Sequence, residues 1–287
     1  MTEATDQPRK GPDAQPPEPL QAEKVIEIID LVKSFDGRRV LEGINLEVRK
    51  GETLVIMGGS GCGKSTLLRH MIGTYRPDSG VIRIFGQDIT LMDEDQLRPI
   101  LLRMGVLFQS GALYNSMTVG DNVALPMREH TDLADHIIDI MVKMKLELVG
   151  LRDFGDLKPA QISGGMKKRV GLARAIALDP EILFYDEPTA GLDPIVSGII
   201  DELIMDLSHK LGVTSVVVTH DMTSAFKIAD RLLMLYQGKV IAEGTPDRIR
   251  NSDDARVRQF IHGLPDGPIP LRVSKTDFLT DLMTDGR

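Results

Sequence analysis

Residues Gly58–Thr66 read GGSGCGKST, and no other stretch of the chain restricts its fold so tightly. The apolar run Thr53–Met57 before it reads as a buried strand, and Leu67–Ile72 after it continues as a helix. At such a junction glycines let backbone N–H groups turn inward, and the helix N-terminus adds a favourable field for an anion. Gly58 and Gly63 hold the GxxxxGK[ST] spacing, with Gly59, Ser60, Gly61 and Cys62 between them. In that pattern Lys64 reaches the β- and γ-phosphates of a nucleotide, and the Ser65 hydroxyl, with Thr66 behind it, faces Mg²⁺. The flanking strand and helix make an accidental glycine-rich turn a poor account of it.

With 287 residues the chain has room for one large domain or two modest ones. No run approaches the roughly 18–20 apolar residues that a bilayer-spanning helix needs. The N-terminus is polar, acidic and proline-rich, unlike a signal peptide. One cysteine allows no intrachain disulfide, which fits a reducing compartment. A net charge of −8 argues against a general nucleic-acid binder, which would present a basic face. The local cluster Lys167-Lys168-Arg169 reads as the solvated face of a helix.

Residues 1–23 hold five prolines among Gln, Glu, Asp and Ala, too few bulky apolar groups to offset ordering, so a disordered tail is expected. From Val25 a β-rich run leads to Phe35, just before an Asp36-Gly37 turn. Alternation at Ile44, Leu46 and Val48, and again at Val81 and Ile84 around Arg83, predicts a small antiparallel sheet beside the phosphate loop. After a strand at Val106–Phe108 the texture changes at Gln109. Helices are expected over Val119–His130 and Leu133–Leu148, the second with Leu133, Ile137, Met141, Met144 and Leu148 at helical spacing. Met117, Met127, Met141 and Met144 suit either an adaptable surface or an irregular core.

The α/β pattern resumes at ISGGMKKRVGLARAIAL. There Ser163, Gly164 and Gly165 open an alanine-rich helix with Val170, Ala173, Ile176 and Ala177 on one side, a second helix start suited to an anion. Ile182–Tyr185 reads as a buried strand ending in Asp186-Glu187-Pro188. Adjacent carboxylates at a strand end suit metal chemistry: Asp186 can hold Mg²⁺ through water, and Glu187 can polarise an attacking water. A further strand, Thr214–Thr219, delivers His220 to the same edge of the sheet. A hairpin over Leu232–Glu243 and a helix capped by Thr245-Pro246 follow.

Taken in order, these stretches resemble the ATP-binding cassette (ABC) ATPases from Val25 to about His262. The matching motifs are the phosphate loop Gly58–Thr66, Gln109, the signature Ile162–Met166, Ile182–Glu187, the Ala190–Asp193 loop and His220. Two positions depart from the family pattern: Met166 stands where glutamine is usual and Tyr185 where leucine is common. The resemblance implies an α/β P-loop fold with an antiparallel β subdomain and an α-helical subdomain over about 110–165. It makes Phe35 the adenine-stacking residue, Lys64, Ser65, Gln109 and Asp186 ligands of ATP and Mg²⁺, Glu187 the catalytic base and His220 the γ-phosphate contact. Ser163, Gly164 and Gly165 of a second copy would close over the nucleotide. One motif set without an internal repeat therefore implies a dimer.

The segment LFQSGALYNSMTVGDNVALP, with ISGGM and IHGLPDGPIPLR, is similar to the Mla-type ATPases of bacterial phospholipid-trafficking systems. That similarity implies permease, lipid-binding and regulatory partners, no nucleic acid, and a place on the cytoplasmic face of the inner membrane. An ATPase of a small-solute importer, or of soluble iron–sulfur assembly, shares the same motifs. Residues 263–287 form an extension in which Ser274 and Asp277 would cap a short helix whose apolar stripe either packs on its own cassette or docks on the other subunit or a regulatory partner. Cys62 sits within the loop near a helix N-terminus, which leaves two readings open: a thiol of lowered pKa that reagents could reach, or a small residue that fills the loop.

Overall fold

The computed structural model describes residues 23–269. The sequence-based readings of the N-terminal tail, Glu23 apart, and of the helix at 274–283 fall outside that span. Ten strands and nine α-helices are defined within it, in two sheets.

The first sheet is antiparallel and joins β1 (Lys24–Phe35), β2 (Arg38–Arg49), β4 (Ser79–Ile84) and the short β5 (Gln87–Asp88) in the order β2-β1-β4-β5. In β2 the inward positions are those the alternation marks, Ile44, Leu46 and Val48, all buried. In β4 the inward pair is Ile82 and Ile84, and Val81 stands half-buried on the opposite face.

The second sheet has the order β10-β9-β3-β8-β7-β6. It contains β3 (Thr53–Met57), β6 (Met104–Leu107), β7 (Ile182–Asp186), β8 (Thr214–Thr219), β9 (Arg231–Tyr236) and β10 (Lys239–Gly244). All its pairings are parallel except β9 with β10. A parallel sheet is covered on both faces, which is why β3 and β8 are buried at every residue. Period-2 alternation then decides which layer each side chain joins. Leu54, Ile56, Phe184, Val216 and Val218 pack with the antiparallel sheet and with Leu67, Leu68 and Met71 of α1 (Lys64–Met71). Val55, Met57, Leu183, Tyr185 and Val217 pack into the helical layer.

That layer includes α5 (Gly164–Ala175) and α6 (Pro194–Leu211). Between β6 and α5 lie α3 (Val119–His130) and α4 (Asp135–Leu148). The core face of α4 is Ile138, Val142 and Leu146, set against Val119, Val123 and Met127 of α3. The stripe marked by sequence spacing is a different one: Leu133, Ile137, Met144 and Leu148 are exposed, and Met141 is half-buried. Asn122 is fully buried; it accepts from the Tyr114 N–H at 2.8 Å and donates to the Tyr114 and Thr118 carbonyls at 3.1 and 2.8 Å. It thereby locks the loop that leads from β6 into α3.

The remaining helices are α2 (Glu94–Leu101), α7 (Met222–Ile228), α8 (Pro246–Arg250) and α9 (Ala255–His262). Side-chain caps set most starts. Asp193 accepts from the Ile195 and Val196 N–H groups ahead of α6, and Thr245 accepts from Arg248 ahead of α8. No helix among the described residues is long and apolar enough to cross a membrane.

Candidate active site

The C-terminal ends of β3, β7 and β8 lie side by side, with β8 in the middle, and that strand order assembles the site from segments distant in sequence. The loop from β3 to α1 is built on glycine. At Gly58, with φ +153°, a Cβ would stand 2.3 Å from the Leu235 carbonyl oxygen and 2.8 Å from Cys62 Sγ. At Gly63, with φ +109°, it would stand 2.8 Å from Leu41 Cδ2. Larger residues therefore fail twice, in conformation and in space.

Lys64 is buried, and its ammonium donates to the Gly58 and Gly59 carbonyls at 2.8 and 3.1 Å. No carboxylate bridges to it among the described residues. Gly63, the N-cap of α1, supplies no side-chain acceptor, so the first-turn N–H groups of α1 stay open toward the loop. A buried ammonium beside uncapped amides fits a polyphosphate.

Across the loop, the Ser65 hydroxyl donates to Asp186 Oδ1 at 3.4 Å. Burial pushes the Asp186 carboxyl above its ordinary range, against the opposing effect of Ser65. A hydroxyl and a half-buried carboxylate are hard oxygen donors of the kind that fit Mg²⁺, which takes few protein ligands and completes its shell with water and phosphate oxygens.

Glu187 follows in a left-handed conformation, φ +50°, held by its N–H donating to the Val218 carbonyl at 2.9 Å. Its side chain is 13% exposed, and Oε2 lies 2.8 Å from His220 Nδ1. It also accepts from the His220 N–H at 3.3 Å. The structure thus brings Lys64, Ser65, Asp186, Glu187 and His220 to one edge.

Gln109 is exposed two residues past β6. Phe35 ends β1 with 37% of its surface exposed and its ring edge-on to Tyr75 at 5.4 Å. Ser163 caps α5, accepting from the Met166 N–H at 3.3 Å; Ser163 and Gly164 are exposed, and none of the hydrogen bonds of the phosphate-loop cluster reaches them.

Burial decides between the two readings of Cys62 and overturns that of Lys168. Cys62 is 7% exposed, and burial pushes its thiol up, outweighing the nearby Lys64 ammonium, so the thiol is not activated. Native protein is expected to react slowly with a thiol reagent at neutral pH and at the same rate with and without ATP; rapid alkylation blocked by ATP would contradict this. The cluster Lys167-Lys168-Arg169 is not a solvated face either. Lys168 is 5% exposed, and its ammonium donates to the Pro188 and Ala190 carbonyls, both at 2.7 Å, and to the Glu187 carbonyl at 3.2 Å. Burial lowers its pKa, with Glu187 opposing.

Tyr75, in sequence an ordinary loop residue, joins Phe35 on one side and accepts from Arg69 Nη1 at 2.7 Å on the other.

A model of the ABC transporter family matches residues 41–190, from Leu41 of β2 to Ala190 beyond the acidic pair, and so takes in the phosphate loop, Gln109 and the signature. The chain belongs to the ABC transporter family. This cassette is 44% identical over 260 residues to the intermembrane phospholipid transport system ATP-binding protein MlaF of Haemophilus influenzae, covering 91% of this chain and 98% of that one. It is 42% identical over 254 residues to the probable ribonucleotide transport ATP-binding protein mkl of Mycobacterium leprae, covering 88% and 73% of the two chains. Among solved structures, a dimeric post-hydrolysis ATP-binding cassette bound to ADP and Pi is similar with a TM-score of 0.72 at 31% identity, over 77% of this chain and 98% of that one. The cassette is accordingly an ABC ATPase.

Proposed function

We propose that this cassette hydrolyses ATP to drive phospholipid trafficking through a membrane permease, from the cytoplasmic face of the inner membrane. The observation that carries the lipid assignment is the 44% identity to MlaF across 98% of that protein's length. In this reading the loop amides and Lys64 hold the β- and γ-phosphates, and Phe35 stacks on adenine. Ser65 and Asp186 hold Mg²⁺, with Gln109 beside it; the ion supplies neutralisation of phosphate charge. Glu187 accepts a proton from the attacking water, oriented by His220. Ser163, Gly164 and Gly165 of a second copy close the site, so ATP draws two cassettes together and its hydrolysis releases them.

A surface for the permease lies beside Gln109. An open groove of about 650 Å³ runs between α2, β6, α3 and α5, with exposed Phe108, Tyr114 and Leu101 on its wall and Arg174 within it. Arg174 donates to the Gly111 and Ala112 carbonyls at 2.9 and 2.8 Å, joining the groove to the helix that bears the signature. The exposed stripe on α4 offers a second contact for a further subunit.

The test is capture of tagged Glu187→Gln protein from detergent-solubilised native membranes, with mass spectrometry of retained proteins and lipids. A permease, a lipid-binding partner and enriched phospholipid are expected. A permease that retains nucleotides or other small solutes, or soluble scaffold proteins alone, would overturn the lipid assignment and leave the ATPase in place.

A further inference from the structure

Lys168 presents an arrangement that the ATP-binding parts do not account for. A buried ammonium is costly unless its donors are satisfied, and an apolar residue would fill the same space without that cost. Here all three acceptors are backbone carbonyls of one short segment, Glu187, Pro188 and Ala190. That segment begins with the proposed catalytic base, in a backbone conformation that a non-glycine residue keeps only when its surroundings enforce it. The Val218 carbonyl restrains the Glu187 N–H, and Lys168 restrains the Glu187 carbonyl.

A second contact ties the same helix to the end of the same loop. At Gly165 a Cβ would stand 2.5 Å from Val196 Cγ1, so the first turn of α5 abuts the first turn of α6, immediately beyond Asp193. The helix that opens with Ser163 is thus held against both ends of the segment from Glu187 to Val196.

We infer that Lys168 is a positioning residue that couples the two ATP sites of a cassette pair. Its helix meets the second copy's nucleotide at Ser163–Gly165, and its ammonium passes the resulting displacement to the backbone of Glu187 in its own site. This rests on the two-copy reading given under the proposed function. A helix is stiff over the distance from Ser163 to Lys168, so the displacement is not absorbed on the way. Each nucleotide then helps to set the base that takes the proton from the water attacking the other one, and hydrolysis becomes cooperative in ATP.

The experiment compares full-length wild type, Lys168→Met, Lys168→Arg and Lys168→Gln. It measures affinity for a fluorescent ATP analogue, steady-state hydrolysis against ATP concentration, and thermal melting. Lys168→Met is expected to keep nucleotide affinity within about twofold, to lose kcat by on the order of tenfold to a hundredfold, and to show a Hill coefficient falling toward one. Lys168→Arg, which keeps the charge and several donors, should recover most of both. Where Lys168→Met does not fold, Lys168→Gln, with two donors and no charge, is read by the same criteria. Wild-type kcat and cooperativity in the folded uncharged variant would overturn the inference. So would a loss of affinity in step with kcat, or Lys168→Arg as impaired as Lys168→Met. Size-exclusion of Glu187→Gln with ATP separates the two levels: no dimer overturns the two-copy reading and this coupling with it, whereas a dimer alongside a fully active Lys168→Met overturns the coupling alone.

Discussion

Glu187→Gln is expected to bind ATP as tightly as the wild type and to hydrolyse it about 10²–10⁴ times more slowly, the range lost when a positioned general base is removed. At 1.36 kcal/mol per decade that is roughly 2.7–5.5 kcal/mol of transition-state stabilisation. The substitution is nearly isosteric. The Glu187 N–H keeps its bond to the Val218 carbonyl, and an amide oxygen can still accept at the place where Oε2 meets His220 Nδ1 at 2.8 Å. What disappears is the capacity to take a proton. The groups set to hold nucleotide are untouched: the Lys64 ammonium lies on the Gly58 and Gly59 carbonyls, and Ser65 pairs with Asp186. Affinity and turnover should therefore separate, with ATP-bound protein accumulating as a dimer. Phosphate release and nucleotide affinity measured on the same preparation decide the matter; ordinary turnover would remove Glu187 as the base and turn attention to its neighbour His220.

The phosphate loop was legible because spacing alone defines it, and β3 and α1 on either side carry unambiguous periodicities. The meeting of Ser65 with Asp186 was not, since 121 residues separate them and only the order β3-β8-β7 brings them together. From Leu133 into α4 the spacing of Leu133, Ile137, Met144 and Leu148 describes a real stripe, but a stripe does not say which neighbour covers it. The helix instead turns Ile138, Val142 and Leu146 to α3. Lys168 is hidden in the sequence because three consecutive cations look like one solvated surface, whereas successive helical residues point about 100° apart. Gly165, Lys168 and Leu172, at i, i+3 and i+7, form one buried face, a pattern that was available in the sequence. Cys62 shows two effects in competition, a helix terminus that lowers a thiol's pKa and burial that raises it. Burial, which the sequence does not reveal at a single loop position, is the stronger here.

Lys64→Ala is expected to act on binding where Glu187→Gln acts on chemistry. Hydrogen bonds to charged groups contribute about 1.5–3 kcal/mol each, and Lys64 is placed to make them to two phosphates, so ATP affinity should fall by at least about a hundredfold. The fold should barely notice, because the ammonium's hydrogen bonds are to carbonyls of its own loop, Gly58 and Gly59, and it joins no other element. A thermal melt within a few degrees of wild type, beside a binding isotherm shifted by two decades, is the expected pair of results. Lys64→Arg should not restore binding, since the position is 7% exposed and a planar guanidinium does not stand in for the compact ammonium there. ATP should then fail to bring Lys64→Ala cassettes together, although it traps those carrying Glu187→Gln. Affinity unchanged in Lys64→Ala would mean that the open amides of α1 hold the phosphates by themselves, and the cradle would have to be redrawn without the Lys64 ammonium.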